Sequence, residues 1–106
     1  MFNDFNGLVV TECVVNLDFP TSDRKVKAFA NITLNGAFAI QAIRVVEFAN
    51  GKTIVAFPNR VRHNGSRKDT AHPINQEARL WLDGIILGEY ARACRDRIHN
   101  EIKEAV

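Results

Sequence analysis

Between Pro58 and Asn75 the chain gathers side chains suited to holding an anion: Arg60, Arg62, Arg67 and Lys68, with His63 beside an Asn64-Gly65 dipeptide. The planar fork of arginine can grip a phosphate with two parallel hydrogen bonds or pair with guanine O6 and N7, whereas lysine offers a point charge. Residues 1–57 hold five Lys/Arg against five Asp/Glu, residues 58–75 four against one, and residues 76–106 five against six. The net charge of +2 therefore originates in the middle segment. A concentrated patch of this kind can attract polyanions even on a nearly neutral protein.

If Asn64-Gly65 closes a two-residue hairpin, antiparallel pairing sets His63 opposite Ser66, Arg62 opposite Arg67 and Arg60 opposite Asp69. Arg60, Arg62 and Arg67 then share one face. Cross-strand pairs are worth about 0.2–1 kcal/mol and like charges repel, so a phosphate between Arg62 and Arg67 would relieve the strain. A solvated loop with an Arg60–Asp69 ion pair fits the same residues equally well.

Other reactive residues point away from catalysis. Arg92 and Arg95 are candidates for additional nucleic-acid contacts, although Glu77, Asp83, Glu89 and Asp96 intersperse the helical arginines and favour solvated pairs about one turn apart. His72, next to Pro73, reads as a histidine held by backbone hydrogen bonds at a corner. His63, His72 and His99 lack metal-ligand spacing, and Cys13 and Cys94 sit in apolar patterns where free cysteine behaves as a small hydrophobe. No Gly-rich phosphate loop, nucleophile elbow or paired catalytic carboxylates occur. The chain is accordingly expected to be no enzyme, with no cofactor, no metal and no small-molecule substrate.

The elements that must carry these residues follow from periodicity. Asn35-Gly36, Asn50-Gly51 and Asn64-Gly65 are strong hairpin signals. Val26, Ala28, Ala30, Ile32 and Leu34 alternate as one face of a strand, and Ala37–Phe48 is apolar on both faces, as in a central strand. Leu8–Leu17 reads as a strand entering an Asp18–Asp23 turn, and Lys52–Phe57 as a short strand stopped by Pro58. Phe29, Phe38, Phe48 and Phe57 fall in strands and are mostly expected in the core, with Phe29, opposed to the Ala28/Ala30 face, a candidate for base stacking or for burial against a partner subunit.

Beyond Pro73 the period changes. Asn75 is a good N-cap, and Ala78, Leu82, Ile86, Tyr90, Cys94, Ile98 and Ile102 recur every fourth residue, predicting a helix over 76–104. Gly84 and Gly88 suggest a close approach or a bend. Leu80 and Leu87 lie off the main stripe with Trp81 near its edge, and either wrap the core further or serve a dimer interface.

These readings give an α+β fold: an antiparallel β meander of about four strands plus a small basic hairpin arm, then a long C-terminal α-helix packed on the sheet. One domain spans 1–106, with 1–7 the most loosely attached part, 8–57 the sheet, 58–75 the basic arm and corner, and 76–104 the helix. With 46% hydrophobic and 25% charged residues the composition is that of an ordinary soluble domain. No stretch approaches the ~18 uninterrupted apolar residues of a membrane span. Asp4 and Asn6 interrupt Met1–Val10, unlike a secretion signal, so a cytoplasmic location with no membrane partner is expected. A domain this small leaves much apolar surface wet, which favours self-association.

Three stretches resemble the SpoVG family. They are Ala28-Phe-Ala-Asn-Ile-Thr-Leu-Asn-Gly-Ala-Phe-Ala-Ile-Gln-Ala-Ile-Arg-Val-Val, then Ile54-Val-Ala-Phe-Pro, then Arg67-Lys-Asp-Thr-Ala-His-Pro-Ile-Asn75. The family pattern has a strand ending Ile-Thr-Leu, a second reading Ile-Arg-Val, a Val-Ala-Met-Pro strand and an Asp-Ile-Ala-His-Pro-Ile-Asn segment leading into a helix. The five successive residues Ala71–Asn75 make the likeness specific. It implies a homodimer on an antiparallel sheet with C-terminal helices, and site-specific DNA and RNA binding that modulates gene expression, with links to sporulation and septation. Two features depart from the pattern: Asn59–Ser66 replaces the family's basic loop containing Pro and Gly, and the N-terminus is longer. A protein-interaction module in septation or sporulation, using the Leu80/Leu87 surface without direct nucleic-acid binding, is the alternative expectation.

Overall fold

The computed structural model describes residues 4–18 and 23–105, with side chains up to Asn100. A short strand, β1 (Asp4–Phe5), turns back through Asn6 and Gly7 onto β2 (Leu8–Asn16). Both turn residues have positive φ, 50° and 87°, the geometry that an Asn-Gly pair adopts at least cost. Of the Met1–Gly7 segment expected to be the most loosely attached, residues 4–7 form this hairpin and residues 1–3 lie outside the described residues. Phe5 also stacks on Trp81, with ring centroids 5.2 Å apart and planes inclined by 22°.

The meander continues through β3 (Val26–Leu34), β4 (Phe38–Glu47) and β5 (Thr53–Ala56), giving a five-stranded antiparallel sheet in sequential order. Of the expected Asp18–Asp23 turn, residues 19–22 lie outside the described residues. Asn35 and Gly36 both take positive φ, 52° and 60°, and the Ala37 N–H donates to the Leu34 carbonyl, closing the two-residue turn expected there. At Asn50-Gly51 only the glycine has positive φ, 86°, and the Phe48 N–H reaches across a three-residue loop to the Lys52 carbonyl. The Asn50 side chain accepts from the Lys52 N–H, an arrangement that stabilises the longer loop.

One extra residue re-phases β4. Ile40 pairs with Ile32, and Ile43 with Ala30, so Gln41 and Ala42 together face Asn31. Ala42 has φ 61°, and its N–H donates to Asn31 Oδ1. This bulge turns both Ile40 and Ile43 towards the core, which plain alternation could not do. Apolarity on both faces of Ala37–Phe48 is thus partly the signature of a strand that changes phase.

α1 (Gln76–Ala105) covers one face of the sheet. Asn75 caps it, its side chain accepting from the Ala78 N–H and its carbonyl from the Arg79 N–H. Leu82 and Ile86 enter a core with Val10, Ala28, Ala30, Ile32, Ile43, Val45, Val55 and Phe57. Ile98, on the same every-fourth stripe, is 56% exposed. Each four-residue step rotates about 40° past a full turn, so four steps carry a side chain from Leu82 to the far side of the helix. The helix runs diagonally, with Arg79 bonded to the Val55 carbonyl at one end and Arg97 paired with Asp18 beyond β2 at the other. A Cβ on Gly84 or Gly88 would meet open space, so neither glycine serves a close approach within the chain.

Candidate nucleic-acid interface

Phe57 anchors the base of the basic arm. It is almost fully buried, and Pro58 follows it, ending β5 and redirecting the chain. The arm is a separate two-stranded sheet, β6 (Asn59–Val61) with β7 (Arg67–Asp69). Thr70 closes its base, donating to the Pro58 carbonyl from both N–H and Oγ1. At the tip the Arg62 N–H donates to the Ser66 carbonyl at 2.7 Å and the Gly65 N–H to the Arg62 carbonyl at 3.0 Å. Gly65 has φ 85°, so the loop repeats the geometry at Gly51 and contains three residues, His63, Asn64 and Gly65.

That third residue overturns the expected register. Asn59 pairs with Asp69, Arg60 with Lys68 and Val61 with Arg67. Arg62 therefore does not face Arg67, nor does Arg60 face Asp69. A one-residue slip moves every side chain of a strand to the other face, so Arg60, Arg62 and Lys68 share one face while Arg67 lies on the other. There Arg67 donates to Asn59 Oδ1 at 3.0 Å, beside Asp69. The carboxylate thus sits away from the three clustered cations. Arg60 and Lys68, directly opposed, now form the repelling like-charge pair.

An open cleft of about 610 Å³ follows this face, lined by Arg60, Val61, Arg62, His63, Asn64 and Lys68. Every lining residue is exposed. Neither Arg67 nor Asp69 borders it.

The other expected contacts lie elsewhere. Arg92 and Arg95 follow the Asn75 cap by 17 and 20 residues, which places them about 25–30 Å along the helix. Arg92 pairs with Glu89 at 3.8 Å, and Arg79, 3.5 Å from Asp83, also lies over the Phe57 ring. Burial raises the Asp83 carboxyl above the usual range, and the Arg79 guanidinium partly offsets that shift. Arg79 thus ties the helix to the edge of the sheet. His72 Nδ1 donates to the Pro73 carbonyl at 2.9 Å, the backbone-held corner expected of it.

Trp81 and Leu87 are half-buried against the core, whereas Leu80 is 64% exposed. Phe29 is half-buried between Asn16 and Arg44 on the face away from the helix. Phe38, expected with the strand phenylalanines in the core, is instead 74% exposed at the β3–β4 turn, and Phe48 is exposed at the next. Their positions flanking Asn35-Gly36 and Asn50-Gly51 were the available signal, because strand ends project beyond the cover of the helix.

Cys13 packs against the core and Cys94 lies beside Tyr90 on the helix. Both cysteines are free. Burial, with a smaller contribution from Glu89, pushes the Cys13 thiol up to about 11. Among the described residues no three His, Cys, Asp or Glu side chains come together as a metal site, and no helix is long and apolar enough to cross a membrane.

The family model described as SpoVG matches residues 10–92 of the chain. Similar proteins include one from Anaeromyxobacter sp. (strain Fw109-5), 38% identical over 77 residues, covering 73% of this chain and 78% of the relative. Another, from Bdellovibrio bacteriovorus, is 35% identical and covers 78% of this chain and 73% of its own. A third, from Clostridium novyi, is 35% identical over 81% and 85% respectively. Each bears the name "Putative septation protein SpoVG".

Proposed function

The chain belongs to the SpoVG family, and from that premise we propose that it is a homodimeric regulator that binds DNA or RNA through the β6–β7 arm, acting in the cytoplasm in connection with septation. The observation carrying this reading is the arm's outer face, where Arg60, Arg62 and Lys68 line one cleft and Asp69 lies on the opposite side. A phosphate between Arg60 and Lys68 would relieve their mutual repulsion and receive charge-assisted hydrogen bonds from both. The reading assigns no residue a catalytic role.

The test is the salt dependence of binding. Each neutralised phosphate contributes about −0.9 to the slope of log K against log salt on duplex DNA, so six arm cations in a dimer set a ceiling near −5. Arg62→Gln should weaken binding and flatten the slope by about 1 to 2, depending on whether one or both arms engage. Arg67→Gln should do much less, because Arg67 points away from the cleft and bonds Asn59. Equal effects of the two changes would remove the arm face from the interface.

Ile74, 87% exposed, and Leu80 beside the helix N-terminus favour a second reading, a protein-docking module in septation. Binding of a septation partner with little salt dependence, together with no nucleic-acid binding, would establish that reading in place of the first.

A further inference from the structure

We propose that the arm selects guanine: Arg62 and Asn64 read the O6/N7 edge of an accessible guanine while Arg60 and Lys68 hold a neighbouring phosphate. The proposal rests on the nucleic-acid reading above and adds what the cleft recognises. Arginine and lysine side chains are donors only. Asn64 normally offers both a donor and an acceptor, but here its Oδ1 accepts from the Ser66 N–H at 3.0 Å and from Ser66 Oγ at 2.7 Å. The acceptor end is therefore occupied within the turn, and Nδ2 remains as the group to offer a ligand.

The backbone at the tip reinforces this bias, because the Arg62 and Ser66 carbonyls already accept from Gly65 and Arg62. No carboxylate lines the cleft, and among the described residues no ion pair holds Arg60, Arg62 or Lys68. Only a ring nitrogen of His63 adds a side-chain acceptor to the cleft lining. A wall of donors matches bases that present acceptors. Guanine offers two adjacent acceptors on its major-groove edge, whereas adenine sets a donor beside its N7 and cytosine presents a donor. Phosphate is likewise acceptor-only, so the same wall can hold backbone and base at once. Position divides the tasks: Arg60 and Lys68 are directly opposed in the strands, while Arg62 and Asn64 stand at the tip.

The experiment measures binding of the 106-residue chain, at low salt, to single-stranded 12-mers of adenine and cytosine with one variable central base. Guanine and inosine, which both keep O6 and N7, should bind equally. Replacement by 7-deazaguanine, which lacks N7, or by adenine should weaken binding about tenfold, within the range for losing a bidentate base contact. Asn64→Asp retains an oxygen for Ser66 but exchanges the donor for an acceptor. It should shrink the guanine-to-adenine ratio towards one, a ratio in which its added charge cancels. Arg60→Gln should weaken all four probes alike and leave the ratio intact. Measurable but equal binding of all four probes by the wild type would overturn guanine selection and leave the nucleic-acid reading standing. Absence of binding to every probe, and to random DNA and RNA pools, would overturn both.

Discussion

At Cys13 and at Asn64 it is the environment of the atom that sets the available chemistry. Cys13 Sγ is packed against the core, and its thiol is raised to about 11 because burial penalises the thiolate, with Glu89 adding repulsion. At pH 8 only about one molecule in a thousand would carry the thiolate, against about one in ten at the ordinary value of 9.0. Iodoacetamide should therefore modify folded Cys13 about a hundredfold more slowly than the same residue in denaturant. The folded rate should climb as pH rises towards 11, since the thiolate fraction grows with each unit. Peptide mapping after timed alkylation reads both rates, and equal rates at pH 8 would contradict the packed position. Asn64 shows the complementary case, a residue at an exposed turn whose acceptor is consumed locally by Ser66, leaving its donor end for a ligand.

At the scale of elements, single residues set the phase of whole strands. The Gln41–Ala42 bulge lets β4 present Ile40 and Ile43 to the same core, with Ala42 held at φ 61°. A β-branched residue tolerates that conformation poorly, although strands ordinarily welcome one. Ala42→Val should cost about 1–2 kcal/mol in chemical denaturation. A neutral or stabilising result would show that the strand can run without the bulge. In the arm, the three-residue loop ending at Gly65 determines which cations meet. In the helix, the four-residue spacing fixes a rotation that leaves Ile86 in the core and Ile98 on the surface.

For the whole molecule, one helix covers only one face of the sheet. Val14, Val46, Ile54 and Ala56 lie on the strands without reaching full burial, and Phe38, Ile74 and Leu80 are exposed. β5 is an edge strand, and Arg79 occupies the Val55 carbonyl there. An edge strand and wet apolar surface favour pairing with a second copy. Sedimentation at micromolar concentration should give a species of about 24 kDa, twice the 11.9 kDa chain, persisting at high salt because apolar burial is weakly screened. A monomer under those conditions would rule out the dimer and lower the expected salt slope to that of one arm.

The sequence by itself determined the α+β class, four of the sheet strands, the capped C-terminal helix and the location of the basic arm. These follow from alternation, four-residue recurrence, the Asn75 cap and local charge, all of which act over a few neighbouring residues. β1 is not legible in the sequence because two residues carry no periodicity, although Asn6-Gly7 marks its turn. Tertiary structure decided the rest. An Asn-Gly dipeptide fits both a two-residue turn and the end of a three-residue loop, and only the paired strands choose between them. That choice moved Arg67 off the face of Arg60 and Arg62 and brought Lys68 onto it. Pairing is long-range and cooperative, so a register set by one extra loop residue reassigns a whole face, which composition and spacing leave undetermined.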